Sequence, residues 1–125
     1  MSTRCQIKIR YCNQDILLYH HWDGYPENIT RELFKAQRVK GSVKWSWNGD
    51  AIVNRLVKDN FDDGFEIAFN VHTDLDYWYE LDCDRKTLRC WKVNGYLLSN
   101  IARVDMDKAE EVDLTKIKEE EGYGK

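Results

Sequence analysis

From Cys5 to Tyr11 the chain alternates without interruption: Cys5, Ile7, Ile9 and Tyr11 fall on one side, Gln6, Lys8 and Arg10 on the other. Successive strand residues point to opposite faces, so this segment reads as a half-buried strand that needs a second layer over its apolar side. Asn13-Gln14-Asp15 reads as a turn and Ile16-Leu17-Leu18-Tyr19-His20 as a second apolar strand, which together predict an antiparallel hairpin. The hairpin runs directly into His20-His21-Trp22-Asp23-Gly24-Tyr25-Pro26. That loop sets two imidazoles, an indole, a phenol and a carboxylate around a glycine and the chain's only proline. Loops carry binding and catalytic groups more often than regular elements do, so function is sought here first. The loop has two possible uses: to line a pocket, or to lock the following helix onto the sheet through a Gly-Tyr-Pro corner, with the proline fixing φ and Tyr25 packing back.

Asn28 is suited to cap a helix, because its side-chain oxygen can accept from first-turn N–H groups. Ile29, Leu33, Phe34 and Ala36 then recur at helical spacing, and Gly41 ends the segment. A second helix starts at Asn48 or Asp50 and runs through Asp59, with Ile52, Val53, Leu56 and Val57 as its apolar stripe. Between them, Val43 to Trp47 fits either a short extended piece or an early helical turn. Phe65, Ile67, Phe69 and Val71 alternate as a third strand. Asp74-Leu75-Asp76 turns the chain into a fourth, Tyr77 to Asp82; a short turn at Asp84 to Thr87 leads to a fifth, Leu88 to Val93, closed by Asn94-Gly95. Tyr96 to Val104 fits a short edge strand or an irregular return, and Asp113 to Glu121 a frayed helix whose apolar contacts are Leu114 and Ile117.

This order predicts an α+β fold: a single, mostly antiparallel sheet of five or six strands, β-β-α-α-β-β-β, with two helices on one face. Residues 1–112 form the domain and 113–125 a charged C-terminal tail. A chain of 125 residues is long enough for a core without metal or disulfide staples. Aromatics make up 13% of it, a surplus that calls for a second apolar face or a subunit interface. The net charge of −3 gives no overall basic footprint for duplex nucleic acid. No apolar run approaches the roughly 20 residues of a membrane span. The N-terminus lacks a signal-peptide core, so the expected location is the cytoplasm.

The four cysteines, Cys5, Cys12, Cys83 and Cys90, lack the two-residue gap of a zinc knuckle. They are expected to be reduced, small and buried, with no metal or cofactor. His20, His21, Asp23 and Glu27 in the loop, with His72, Asp74 and Asp76 after the third strand, would form an imidazole–carboxylate cluster if the two regions meet. Such a cluster would suit general acid–base work or a divalent metal, although the spacing is no known ligand signature. The plainer account is that His20 ends a strand, Asp23 closes the Gly24 turn, and His72 is a surface residue. Neither a phosphate-cradling glycine loop nor a nucleophile elbow is present.

A nucleotide site needs aromatic planes for the base and cations for the phosphates. Arg4, Arg31, Arg55, Arg89 and Arg103 offer the cations; Trp22, Tyr25, Trp45, Trp47, Phe69, Trp78 and Trp91 offer planes. The plainer account of each is an ion pair with a nearby acid, or packing in a core or interface.

Ser2-Thr3-Arg4, the strand hairpin and His21-Trp22-Asp23-Gly24-Tyr25-Pro26-Glu27 resemble a family of small phage and mobile-element proteins. Its members share an opening Ser-Thr-Arg and a His-(Trp or Ser)-Asp-Gly-Tyr-Pro loop leading into helices. The chain is also similar to the Thoeris anti-defence sponges of the first type. That resemblance implies an antiparallel sheet with two helices, a homodimer or larger assembly, and sequestration of a cyclic ADP-ribose isomer without cleavage. Phe69, Asn94 and Arg103 are ligand-binding candidates by residue type, joined by Arg31, Arg55, Trp22, His21 and Asp23. The expectation is therefore a non-enzymatic nucleotide-binding protein in the host cell cytoplasm. Its rivals are a phage inhibitor that binds a host defence protein through exposed aromatics, and a small phosphodiesterase built on His21, Asp23 and His72.

Overall fold

In a computed structural model that describes residues 3–39, 44–59, 64–72, 74–93, 98–100, 103–104 and 109–120, the strand Cys5–Tyr11 (β1) pairs antiparallel with Gln14–His20 (β2). Cys5 lies opposite His20 and Tyr11 opposite Gln14. The turn is tighter than the expected Asn13-Gln14-Asp15. Cys12 and Asn13 both take positive φ, 53° and 60°, as a two-residue hairpin loop requires, and Gln14 and Asp15 already belong to β2.

Helix α1 (Pro26–Gln37) starts earlier than Asn28 because Pro26 occupies its first turn, where a missing N–H costs nothing. Asn28 does not cap; its side-chain amide donates to the Asp23 carbonyl at 2.8 Å. The helix ends at Gln37, ahead of Gly41, which lies outside the described residues. Helix α2 (Gly49–Asp59) is capped as expected by Asn48, whose Oδ1 accepts from the Ala51 N–H at 3.2 Å. Gly49 lets α2 begin against β1, since a Cβ there would lie 2.4 Å from Tyr11 Cβ.

The remaining strands are β3 (Glu66–Ala68), β4 (Tyr77–Asp82), β5 (Thr87–Lys92), β6 (Leu98–Asn100), β7 (Arg103–Val104) and β8 (Glu110–Val112), followed by helix α3 (Thr115–Glu120). One six-stranded sheet has the order β3-β2-β1-β4-β5-β8; β6 and β7 form a separate hairpin. The class is α+β, as predicted, but the sheet is mixed: β4 runs parallel to β1, Cys5 opposite Tyr77, while the other pairs are antiparallel.

Cys5, Ile7, Ile9, Leu18, Tyr79, Leu81, Leu88 and Cys90 form the sheet side of the main core, covered by Ile29, Leu33 and Phe34 of α1 and Ile52 and Leu56 of α2. Each such aliphatic or aromatic side chain contributes about 1.5–3 kcal/mol by leaving water. Leu114 joins this core and Ile117 of α3 packs against it. The Lys118 ammonium donates to the Leu88 carbonyl at 3.0 Å, and burial lowers its pKa. The second face carries a smaller cluster of Val71, Leu75, Trp78, Trp91 and Val93, with Leu17 and Tyr19 packed against it.

The alternation over Phe65–Val71 does not describe one face. Phe65 belongs to the main core and Val71 to the second cluster, so the chain passes around the sheet edge between them. Ile67 and Phe69 are left 56% and 95% exposed at that edge. All four cysteines are free; Cys5, Cys83 and Cys90 are buried, but Cys12 is exposed on its turn. Among the described residues, no helix is long and apolar enough to cross a membrane.

Candidate functional site

Three strand ends meet at one end of the sheet. β2 returns antiparallel to the start of β1, and β4, being parallel to β1, starts at that same end. The loop after β2 and the segment before β4 are thereby brought together beside Arg4. An antiparallel β4 would have sent residues 72–76 to the far end.

Gln6 fixes the second of these segments. It is fully buried, its Nε2 donates to the Asn70 carbonyl at 2.9 Å, and its Oε1 accepts from the His72 N–H at 2.7 Å. The His72 ring then stacks on Tyr19, with centroids 4.1 Å apart and planes 13° from parallel. The Tyr19 hydroxyl lies 3.0 Å from His21 Nδ1. Burial, then the Asp74 charge, push the Tyr19 phenol up, while Arg4 pulls it down. Trp22 meets the His21 ring edge-on at 4.6 Å and is 49% exposed. The result is a row of rings, His72, Tyr19, His21 and Trp22, with its outer end open to solvent.

Arg4 stands beside this row. Its backbone N–H donates to Asp76 Oδ2 at 3.0 Å, and its carbonyl accepts from the Asp76 and Tyr77 N–H groups at 2.9 and 3.2 Å. Its guanidinium pairs through Nη1 with Asp74 Oδ2 at 2.5 Å. Asp74 and Asp76 thus both face Arg4.

The loop itself divides by role. Gly24 is buried, its N–H donates to the Thr3 carbonyl at 2.8 Å, and its carbonyl accepts from the Tyr79 hydroxyl at 2.7 Å. Pro26 is buried at the start of α1. Tyr25 is 40% exposed and is not the anchor its place in the corner predicts; Tyr79, from β4, packs there instead. His21 and Trp22 face the row of rings. Asp23 is exposed, with φ of 51°, and its carbonyl is tied to Asn28.

Of the other expected site residues, Arg55 donates from Nη1 to the Ala36 carbonyl at 2.6 Å and so closes the end of α1. Arg31 lies on the exposed side of α1, and Phe69 stands beyond β3. Asn94 lies outside the described residues, as does the Arg103 side chain; the Arg103 backbone pairs with Asn100. Trp78 and Trp91 serve the second cluster, with Arg89 over Trp91 at 4.7 Å and paired to Glu111; Trp45 packs edge-on against Phe34. His20 stacks on Phe65 at 4.4 Å, and its Nδ1 lies 3.2 Å from the Gly64 carbonyl. Tyr19 and Gln6 were not singled out by their sequence. Their only signal was being polar or amphipathic at positions beside an apolar strand face.

The fold and this rim define a small α+β domain with a row of aromatic and imidazole rings at one end of its sheet. Among the described residues, no group of three or more histidine, cysteine or acidic side chains is arranged to hold a metal. The chain matches no protein-family model, no curated protein and no solved structure.

Proposed function

We propose that the protein binds a nucleotide signal of the cyclic ADP-ribose type and sequesters it without cleavage. It would act in the host cell cytoplasm, as a phage anti-defence protein and a homodimer or larger assembly. The observation that carries this reading is the row of His72, Tyr19, His21 and Trp22 beside Arg4. Ring faces and edges suit a base, and imidazole N–H and guanidinium groups suit phosphate oxygens. The likeness to the Thoeris sponges supplies the ligand class.

The meeting of His21 and His72 at Tyr19 favours a phosphodiesterase as second reading. Against it, both nearby carboxylates are engaged by Arg4, and Asp23 is outside the row. General acid–base catalysis by an imidazole is most effective when a third group orients the ring and stabilises its charged form. Direct binding to a host defence protein is favoured by the exposed Ile67 and Phe69, which equally suit self-association along the β3 edge.

Calorimetric titration with cyclic ADP-ribose and ADP-ribose, followed by heating and analysis of the released material, tests the reading. Saturable binding and intact recovery support it. Absence of binding to either compound contradicts it, and recovery of a product assigns an enzyme.

A further inference from the structure

We propose that two copies of this chain pair through their β3 edges about a two-fold axis, each lodging Phe69 in an apolar groove of the other. The inference names the surface and symmetry of the self-association proposed above, and it does not depend on which nucleotide the chain binds.

β3 is the end strand of its sheet, so its outer N–H and C=O groups have no strand partner among the described residues. Such an edge pairs with another chain unless charge, proline or a covering element protects it. This edge carries Ile67 and Phe69, 56% and 95% exposed, and the strand's one charge is Glu66. Ile67 lies opposite Leu18 of the main core and so stands on the helix face of the sheet. There it borders a groove of about 670 Å³ whose apolar wall includes Tyr11, Ile16 and Val53. The exposed Asp15 and Asp50 also border it. An apolar floor inside a polar rim is the anatomy of a protein interface.

Plug and groove share one edge, which selects a second copy as the occupant. An antiparallel pair of β3 strands centred on Ala68 sets Ile67 of each copy opposite Phe69 of the other. Directly opposed residues share a face of the sheet, so each phenyl ring arrives beside the Ile67 that lines the groove. Glu66 then lies opposite Asn70, and no like charges are opposed. A register centred on Glu66 would oppose the two carboxylates. One centred on Ile67 would direct Phe69 to Phe65, which is already buried in the main core. Three residues of ladder alone are too few for a stable dimer. A buried phenylalanine removes about 150–250 Å² from water, and the groove wall loses a similar area. With two such contacts, Ile67 and the ladder, the buried surface passes the roughly 1,000 Å² that a specific interface needs. The contact is isologous and closes on itself.

The test is sedimentation equilibrium of the wild-type chain and Phe69→Asp at concentrations up to about 100 μM. The wild-type mass should rise to that of two chains. Phe69→Asp should weaken association at least about thirtyfold, the effect of losing a central anchor. Thermal melts of dilute protein separate lost association from lost fold. A second variant checks the register. In a Cys12→Ser background, which removes the exposed thiol, Ala68→Cys faces its own copy across the axis. Its Cα separation there falls in the roughly 4–7 Å that a disulfide spans. Mild oxidation should yield a covalent dimer, and adding Phe69→Asp should abolish it. A wild-type chain that stays monomeric at the highest concentration, folded Phe69→Asp that associates as wild type, or a dimer that Ala68→Cys does not cross-link overturns the proposal. A monomer that binds ADP-ribose overturns it and leaves the nucleotide reading standing. A cross-linked dimer that binds none supports it and overturns that reading.

Discussion

The Tyr79 hydroxyl, fully buried in the main core, donates to the Gly24 carbonyl at 2.7 Å and ties the loop after β2 to the strand β4. Burial first, then the neighbouring Cys90 thiol, hold the phenol protonated far above its ordinary range. Tyr79→Phe should therefore lower stability by about 1–3 kcal/mol in urea titrations, because the Gly24 carbonyl is left buried without its donor. Gly24→Ala should cost at least as much: the added Cβ would lie 2.7 Å from the Thr3 carbonyl and 3.0 Å from Cys5 Cβ. Wild-type stability in either variant would show that the loop is not anchored here.

Asp84 links two turns. Its carboxylate accepts the Cys12 and Asn13 backbone N–H groups at 2.9 and 3.0 Å, and these bonds, Asn13 first, hold its pKa below the ordinary value. A depressed folded-state pKa means stability that is present above the unfolded carboxyl value, about 3.9, and lost as pH falls through the folded one. Asp84→Asn should thus melt below wild type at neutral pH, and the gap should close as pH falls from about 5 to about 2. A gap that does not change with pH would sink this assignment.

Only one thiol is open to reagent. Burial pushes Cys83 up to about 11 and Cys90 up to about 12, and raises Cys5 well above its ordinary value, whereas Cys12 is exposed. Thiolate is the reactive form. Iodoacetamide at neutral pH should add one label to the native chain, at Cys12, and four in denaturant. Rapid labelling of Cys5 or Cys90 without denaturant would contradict the buried core.

Trp22 and His72 sit at the solvent side of the ring row, so truncating them should change stability by no more than about 0.5 kcal/mol. Trp22→Ala or His72→Ala should weaken ADP-ribose binding about tenfold, the usual worth of one ring stacked on a base. Unaltered binding in both would move the base away from this row.

The β1–β2 hairpin and the apolar stripes of α1 and α2 were legible because each follows a single period over many residues. Phe65 to Val71 misled, because the same two-residue period arises when a chain rounds a sheet edge and its apolar residues enter different clusters. The parallel pairing of β1 and β4 had no local signal; it is a choice among distant strands, and it is what brings His72 to His21. The His-Trp-Asp-Gly-Tyr-Pro loop announced itself by composition. Its division into an anchoring half, Gly24 and Pro26, and a half that joins the ring row, His21 and Trp22, depends on Tyr79 and Tyr19, whose spacing in the sequence says nothing of it.

The most direct test of sequestration is to mix the purified protein with a lysate containing defence-made cyclic ADP-ribose signals, wash it, heat it, and analyse what is released by mass spectrometry. The account predicts an intact cyclic nucleotide in the released fraction and its depletion from the flow-through. An undiminished signal in the flow-through with nothing released, or conversion of the signal to a smaller product, would contradict it.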